Sequence, residues 1–504
     1  MSTLEKEYAR NTLLLPEENT NEQVTNENDR ETENNNKWNY HGFAFSIISG
    51  VLGDFGFCML VSFFPKAAKE KGLNTSQVGI LFAIYQICSL IVSFVAPSLN
   101  KKFGAVRVLI IANIMLGIAT CCMAFTGYIS HNESPMPFFW IVFVIRMVQG
   151  FAGGMIEVCA VGIALRSVPT EYIADVAGMV EGARMIGVVS GPLIGGLMYE
   201  RLGYEPPFLV AGSLIIFFAI VLLIWPIDSN VDNKAENMEE EYQRKSTISR
   251  LVRRPITILG IITVSLLSLG INFMEPTMEV FMEKAPYNLN HVEVGSLYII
   301  IPVSFALMAC ITPYIVKCIG NIATFAIGVV VYGVAFLMVA PPPKFNNNVL
   351  TLFAFLFQSQ HPMAVALTVN GMAMIGIGGG LLLGPFNTLI IMEGEYLGID
   401  PTETTDSVAA FTNIAYNIGG IIGPLASGPM VQNLGFPESC TLIGYIQIIL
   451  GIFTCIVVST TYRSRKAESP LRSKGHKITK SCSLRSPLLE TDTESASEHA
   501  SLIV

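Results

Sequence analysis

Twelve stretches of this 504-residue chain are apolar for long enough to cross about 30 Å of hydrocarbon as helices, and nothing else constrains the fold as strongly. Six lie near residues 42–64, 77–98, 105–127, 138–166, 175–198 and 207–226; six more lie near 255–278, 293–316, 321–340, 364–392, 404–430 and 438–461. Lipid offers the backbone no hydrogen-bond partner, so each run must satisfy its own peptide groups as a helix. With 51% hydrophobic and 14% charged residues, the composition excludes an ordinary soluble domain. The expected fold is an all-α integral membrane protein of 12 transmembrane helices in two pseudo-symmetric six-helix halves, 42–226 and 255–461. A cytosolic linker at 227–254 joins them, between an N-terminal tail of low hydrophobicity at 1–41, expected to be disordered, and a C-terminal tail at 462–504. The apolar run Val349 to Phe357 is too short to span alone and reads as an insertion on the non-cytosolic side.

The two halves carry one pattern twice. Gly187-x-x-x-Gly191-Pro192-x-x-Gly195-Gly196 recurs 232 residues later as Gly419-x-x-x-Gly423-Pro424-x-x-Ser427-Gly428. Agreement extends upstream to Pro169-Thr170-Glu171 against Pro401-Thr402-Glu403, and downstream to Met198, Leu202 and Gly203 against Met430, Leu434 and Gly435. Glycines every four residues leave a smooth stripe on which another helix packs closely. A proline within such a helix adds a kink that membrane neighbours tolerate. Tight packing alone accounts for a single copy; two full copies in matching places suit helices that slide or rock.

Most of the 31 Lys and Arg residues fall in loops that alternate crossing assigns to one side, among them Lys101, Lys102, Arg107, Arg166, Arg253, Arg254 and Lys317. The positive-inside tendency makes that side cytosolic and puts both termini there. The sequons at Asn74 and Asn132 then fall on the opposite side, where glycosylation occurs, although Pro135 follows the second closely. No signal-peptide pattern precedes the first run, which is expected to be a retained span. The sequence Glu498-His499-Ala500-Ser501-Leu502-Ile503 resembles an acidic dileucine sorting signal, and adaptors that read such signals are expected partners. The net charge of −8 lies mainly in tails and linker and forms no binding stripe.

Cys58, Cys88, Cys121, Cys122, Cys159, Cys310 and Cys455 sit in or beside apolar runs and read as small packing residues. The sequence contains no metal-ligand spacing, cofactor loop, catalytic triad or nucleic-acid stripe, so neither an enzyme nor a cofactor is expected. The histidines, including His41, His131, His291 and His361, fall in tails, loops or the insertion, which leaves proton handling to carboxylates.

Ionisable groups inside spans are costly and are functional candidates by default. Here they are Asp54, Arg146, Glu157, Glu181, Arg184, Glu275 and Glu279. Arg146 and Glu157, eleven residues apart, return to one helix face after about three turns. Glu181 and Arg184, at i and i+3, read as a structural ion pair. Asp54 and Glu275 have no cation within a turn and lie in the first helix of each half; Glu275 and Glu279, one turn apart, could together hold a multivalent amine.

The fifth-run pattern Gly178-x8-Gly187-x3-Gly191-Pro192-x2-Gly195-Gly196 resembles the antiporter motif of the major facilitator superfamily, and Arg146-x-x-Gln149-Gly150 resembles its buried-arginine motif. Pro97-x-x-x-Lys101-Lys102-x-Gly104 matches the family's loop signature only in part, with Lys101 in place of an acidic residue. Asn272-Phe273-Met274-Glu275-Pro276-Thr277 is similar to the acidic-Pro-Thr signature of vesicular amine transporters. The resemblance covers about residues 42 to 460. Tyr85 and Asn413 stand where monoamine and acetylcholine carriers have Lys and Asp, and Gly378-Gly379-Gly380 marks a tenth helix without its usual Asp. These departures point towards the divergent vesicular polyamine transporter-like branch.

The resemblance implies a proton-coupled antiporter of organic cations, amine or polyamine, in a vesicular or endolysosomal membrane. Asp54 and Glu275 would take cation or proton, and Arg146 would bias them. Two other readings remain open: a broad drug or organic-solute exporter at the plasma membrane, and a non-transporting receptor of the same fold.

Overall fold

The computed structural model describes residues 38–129, 134–169, 173–225, 227, 249–284, 287–340, 361–399 and 401–481. The first half contains α1 (Tyr40–Cys58), a short α2 (Phe64–Glu70), α3 (Thr75–Phe103), α4 (Ala105–Phe125), α5 (Met136–Arg166), α6 (Ile173–Leu202) and α7 (Glu205–Ile224). The second contains α8 (Pro255–Met274), a short α9 (Met278–Met282), α10 (His291–Ile319), α11 (Asn321–Val339), α12 (His361–Tyr396), α13 (Pro401–Leu434) and α14 (Phe436–Ser481). A 3-10 turn, Met59–Ser62, carries the chain from α1 towards α2.

Among the described residues, ten helices are long and apolar enough to cross a membrane. The two remaining long helices are α6 and α13, which carry the Gly-Pro pattern. Their glycines and polar side chains dilute their apolar character, yet at about 1.5 Å per residue their 30 and 34 residues are ample to span. Their neighbours explain the composition. α6 lies against α1 and α10, and α13 against α8 and α3, so each packs one face on its own half and another on the opposite half. The rim carries exposed apolar side chains such as Ile111, Phe125, Trp140, Phe217, Leu307 and Ile449. An apolar rim of that kind is stable only in a bilayer.

Local chemistry fixes the helix ends that meet the other half. Asn74 caps α3 by accepting from the Gln77 N–H at 2.8 Å, while Gln77 accepts from the Asn74 N–H at 2.9 Å. Asn290 and Glu293 repeat this capping box at α10. At the opposite end, Gly104 and Gly320 turn α3 into α4 and α10 into α11 with φ of 85° and 84°, a conformation that favours glycine.

The end of the linker docks on the second half, with Leu251 buried and Arg250 donating to the Leu397 carbonyl at 3.0 Å. The membrane-length part of the last helix is Phe436–Thr461, and the helix continues to Ser481. The run Val349 to Phe357, Asn132, Glu498, Leu502 and Ile503 lie outside the described residues.

Candidate functional site

A cavity of ≈ 2850 Å³ lies between the halves. At one end its wall includes Lys102, Arg107, Arg166 and Lys317; at mid-depth it is lined by Asp54, Glu157, Arg184 and Glu275 with the rings of Phe57, Tyr85, Tyr298 and Phe305. Tyr85 and Asn413, the neutral replacements noted in the sequence, both line it. So do Gly379, Gly380 and Gly384 of α12, and a methyl group on Gly380 would lie 3.1 Å from the Phe305 carbonyl oxygen on α10.

Asp54 is not a solitary carboxylate. Arg184 reaches it from α6 as a fork, Nε to Oδ2 at 2.8 Å and Nη2 to Oδ1 at 3.2 Å, and Nη1 meets Glu157 Oε1 at 3.3 Å. These contacts join Arg184 to α1 and α5; the expected pair with Glu181 is not tested, because the Glu181 side chain lies outside the described residues. A pair across helices needs no sequence proximity, so spacing could not reveal it.

Glu275 differs. It is 8% exposed, follows the last residue of α8, and its Oε2 has no hydrogen-bond partner among the described residues. A buried carboxylate oxygen left unpaired is costly, so a ligand that supplies a donor there gains more than it would at a satisfied group.

Arg146 stands behind the cavity wall. Its Nε donates to the Leu81 carbonyl at 3.1 Å and Nη1 to Gln149 at 3.2 Å, while its guanidinium lies 4.8, 5.4 and 5.5 Å from the ring centres of Tyr85, Phe57 and Phe82. Thus Arg146 and Glu157 share α5 but not a role, since aromatics cage the first while the second reaches the cavity.

The chain breaks at Pro276-Thr277 and sends Glu279 elsewhere. The expected joint grip of Glu275 and Glu279 on one ligand is not built, because Glu279 belongs to α9, beyond the cavity. It is 2% exposed, accepts from the Lys66 backbone N–H at 3.0 Å, and meets His291 Nδ1 at 2.7 Å. Lys66 Nζ pairs with Glu283. Both contacts tie α2 of the first half to the second, shutting this end. His291 therefore departs from the expectation of a loop histidine with no part in the chemistry. It is the first residue of α10, with Tyr199 edge-on at 4.8 Å.

The repeated glycines divide their work. Gly187 packs on Val51, Gly191 on Met59 N (a methyl there would lie at 2.9 Å) and Gly195 on Met59, all within the first half. Gly419 on Ser265 and Gly423 on Leu269 do the same in the second. Contact with the opposite half comes from the prolines and final glycines: Pro192 against Gly295, Gly196 against His291, Pro424 against Gly79 and Gly428 against Ser76. Gly178 lies in α6, and its surroundings are outside the described residues. Asn74 is exposed, but its side-chain oxygen is engaged as a helix cap. The nine described cysteines are all free; Cys122 and Cys310 are exposed, unlike the buried Cys58, Cys88 and Cys159.

Two helical halves around a central cavity, shut at one end by inter-half contacts, define a membrane transporter and not an enzyme. The chain belongs to the Major Facilitator Superfamily, whose family model matches residues 46–399. It is 24% identical over 465 residues to the mouse MFS-type transporter SLC18B1, covering 89% of this chain and 93% of that one. It is 23% identical over 387 residues to the human synaptic vesicular amine transporter, covering 76% and 67%. Among solved structures, the nucleoside transporter NupG superposes with a TM-score of 0.62 at 14% identity, over 82% of this chain and 98% of that one. A bacterial homologue of the human lysosomal transporter Spinster, inward-facing and occupied, gives 0.61 at 12%, over 84% and 97%.

Proposed function

We propose that this chain is a proton-coupled antiporter of organic cations, amines or polyamines, working by alternating access in a vesicular or endolysosomal membrane. The observation that carries this reading is Glu275: a buried carboxylate, one oxygen of which has no hydrogen-bond partner among the described residues, on the wall of an aromatic-lined cavity open at one end and shut at the other. An ammonium group supplies both the missing donor and the countercharge, and aromatic faces add cation–π attraction. A proton satisfies the same carboxylate by neutralising it. Cation and proton therefore exclude one another at one group, which is the minimum that antiport requires.

The end lined by Lys102, Arg107, Arg166 and Lys317 is cytosolic on the positive-inside tendency, so this conformation is inward-open. Rocking of the halves would break the Lys66–Glu283 and Glu279 contacts and open the other end. The names of the vesicular amine relatives support organic cations as substrates and a vesicle as the address, with the tail around Leu502 and Ile503 read by sorting adaptors.

The test is uptake of labelled polyamines, monoamines and organic anions by the purified protein in liposomes with an acidic interior. Saturable amine uptake that stops when the pH gradient is dissipated is expected. Uptake confined to organic anions, or indifferent to the gradient, would overturn the reading.

A further inference from the structure

Of the three carboxylates at mid-cavity, Asp54 and Glu275 are in different electrostatic states, and Arg184 makes them so. Asp54 receives a two-point guanidinium contact at 2.8 and 3.2 Å from Arg184, which also meets Glu157 at 3.3 Å. All three side chains line the cavity and remain partly open to it, 16% exposed for Arg184, 21% for Asp54 and 27% for Glu157. Across the cavity, Glu275 Oε2 is buried with no hydrogen-bond partner among the described residues. An amine entering this space meets Glu275 on one side and, on the other, two carboxylates, Asp54 and Glu157, that share one tethered cation.

We infer that Arg184 is a specificity-determining residue: a resident cation that occupies the Asp54 subsite and so limits the cavity to one substrate ammonium, anchored at Glu275. The inference rests on the reading of the protein as an organic-cation carrier and narrows its substrate class to singly charged amines.

Three physical points support it. A guanidinium fork matched to a carboxylate is stronger and more directional than a single ammonium contact. Arg184 is fixed to the same helical scaffold as Asp54, so it rebinds as an intramolecular ligand while an incoming amine pays the full cost of association. A second ammonium at Asp54 would also sit beside the displaced guanidinium, and like charges that close in a partly dehydrated cavity repel strongly. A polyamine stretched between Glu275 and Asp54 meets all three costs; a monoamine at Glu275 meets none.

The experiment compares gradient-driven uptake of labelled phenethylamine, putrescine and spermine by the full-length protein in acid-interior liposomes. The wild type is expected to take up phenethylamine, with putrescine and spermine poor competitors. Arg184→Gln frees Asp54 and Glu157 and should raise the putrescine-to-phenethylamine ratio by roughly tenfold, the order of one half-buried ion pair. Arg184→Lys keeps the charge without the fork and should fall between. Arg184→Gln combined with Asp54→Asn and Glu157→Gln removes all three charges of the cluster and should lose the diamine gain while still carrying phenethylamine. A wild type that prefers spermine, or an Arg184→Gln ratio equal to that of the wild type, overturns the inference and leaves the carrier reading intact. No uptake of any amine by the wild type overturns both.

Discussion

Gly196 and Gly428, equivalent positions of the duplicated pattern, each meet the start of a helix from the opposite half. A methyl group on Gly196 would sit 2.7 Å from the carbonyl oxygen of His291, the first residue of α10, and one on Gly428 would overlap the backbone of Ser76 in the first turn of α3. Alanine at either position should therefore cost about 1–3 kcal/mol, but only while this end is shut. Gly196→Ala is expected to shift the population towards the opposite conformation, read as faster labelling of a Cys substituted for Lys66 by an impermeant thiol reagent from the non-cytosolic side. Gly187→Ala is the contrast. Its methyl would strike Val51 within the same half, lowering the unfolding temperature without changing that labelling.

The closed end should behave as a latch that must release in every cycle. A short bifunctional thiol cross-linker joining Lys66→Cys to Glu283→Cys is expected to abolish uptake, and cleavage of the linker to restore it. The natural bridge is insensitive to acidification at the closed end on its lysine side. Burial lowers the Lys66 pKa, but the hydrogen bond and charge of Glu283, with the charges of Glu70 and Glu279, outweigh it and hold it above the ordinary 10.5. For a group whose folded value is raised, the stabilisation is complete below the unfolded value and fades as pH rises through the folded one. Labelling of a Cys substituted for Val280, beside Lys66 and Glu283 at the closed end, should therefore show no lysine-linked change until pH exceeds 10.5. A change that Lys66→Met removes at lower pH would contradict this.

Much of this architecture is legible in the sequence, for a definite reason. Lipid enforces long apolar helices, and duplication repeats their punctuation, so the halves and the Gly-Pro helices can be read from periodicity and spacing. What spacing cannot supply is the partner across a bundle. Arg184 is 130 residues from Asp54, and Lys66 is 213 from Glu279; neither contact leaves a local trace. The pairing of Glu275 with Glu279 misleads because it carries helical register through Pro276, where the helix stops. His291 is hard to read because it sits at a helix boundary, the least legible feature of a sequence. The glycine stripe is legible as a packing surface, yet which helix it faces depends on the tertiary arrangement: most of it lies against its own half.

Arg146 should prove sensitive to shape as well as to charge. Its planar guanidinium is held by Leu81, by Gln149 and by three aromatic rings, the nearest being Tyr85 at 4.8 Å. Lysine keeps the charge but has neither the plane nor the fork. Arg146→Lys is expected to cost about 2–3 kcal/mol, seen as a lower unfolding temperature in detergent, and to reduce uptake severalfold. Stability equal to the wild type would show that the cage merely tolerates the charge.

Asp54→Asn and Glu275→Gln should separate the two mid-cavity carboxylates. Loss of the Asp54 charge leaves Arg184 beside Glu157, so the cavity retains a local countercharge; uptake should fall by a few-fold and the affinity for a monoamine should change little. Loss of the Glu275 charge removes the one group placed to exchange a cation for a proton, and gradient-driven uptake should fall by at least about a hundredfold, of the order of a buried charge-paired contact. Folding should be little affected, because the amide nitrogen can take the place of Oε2, which has no hydrogen-bond partner among the described residues. The decisive measurement is a pair of kinetic curves taken with and without the pH gradient. If both variants transport as the wild type does, neither carboxylate is the coupling site. If Asp54→Asn is the more damaging, the anchor lies on the first half and Arg184 is displaced in each cycle.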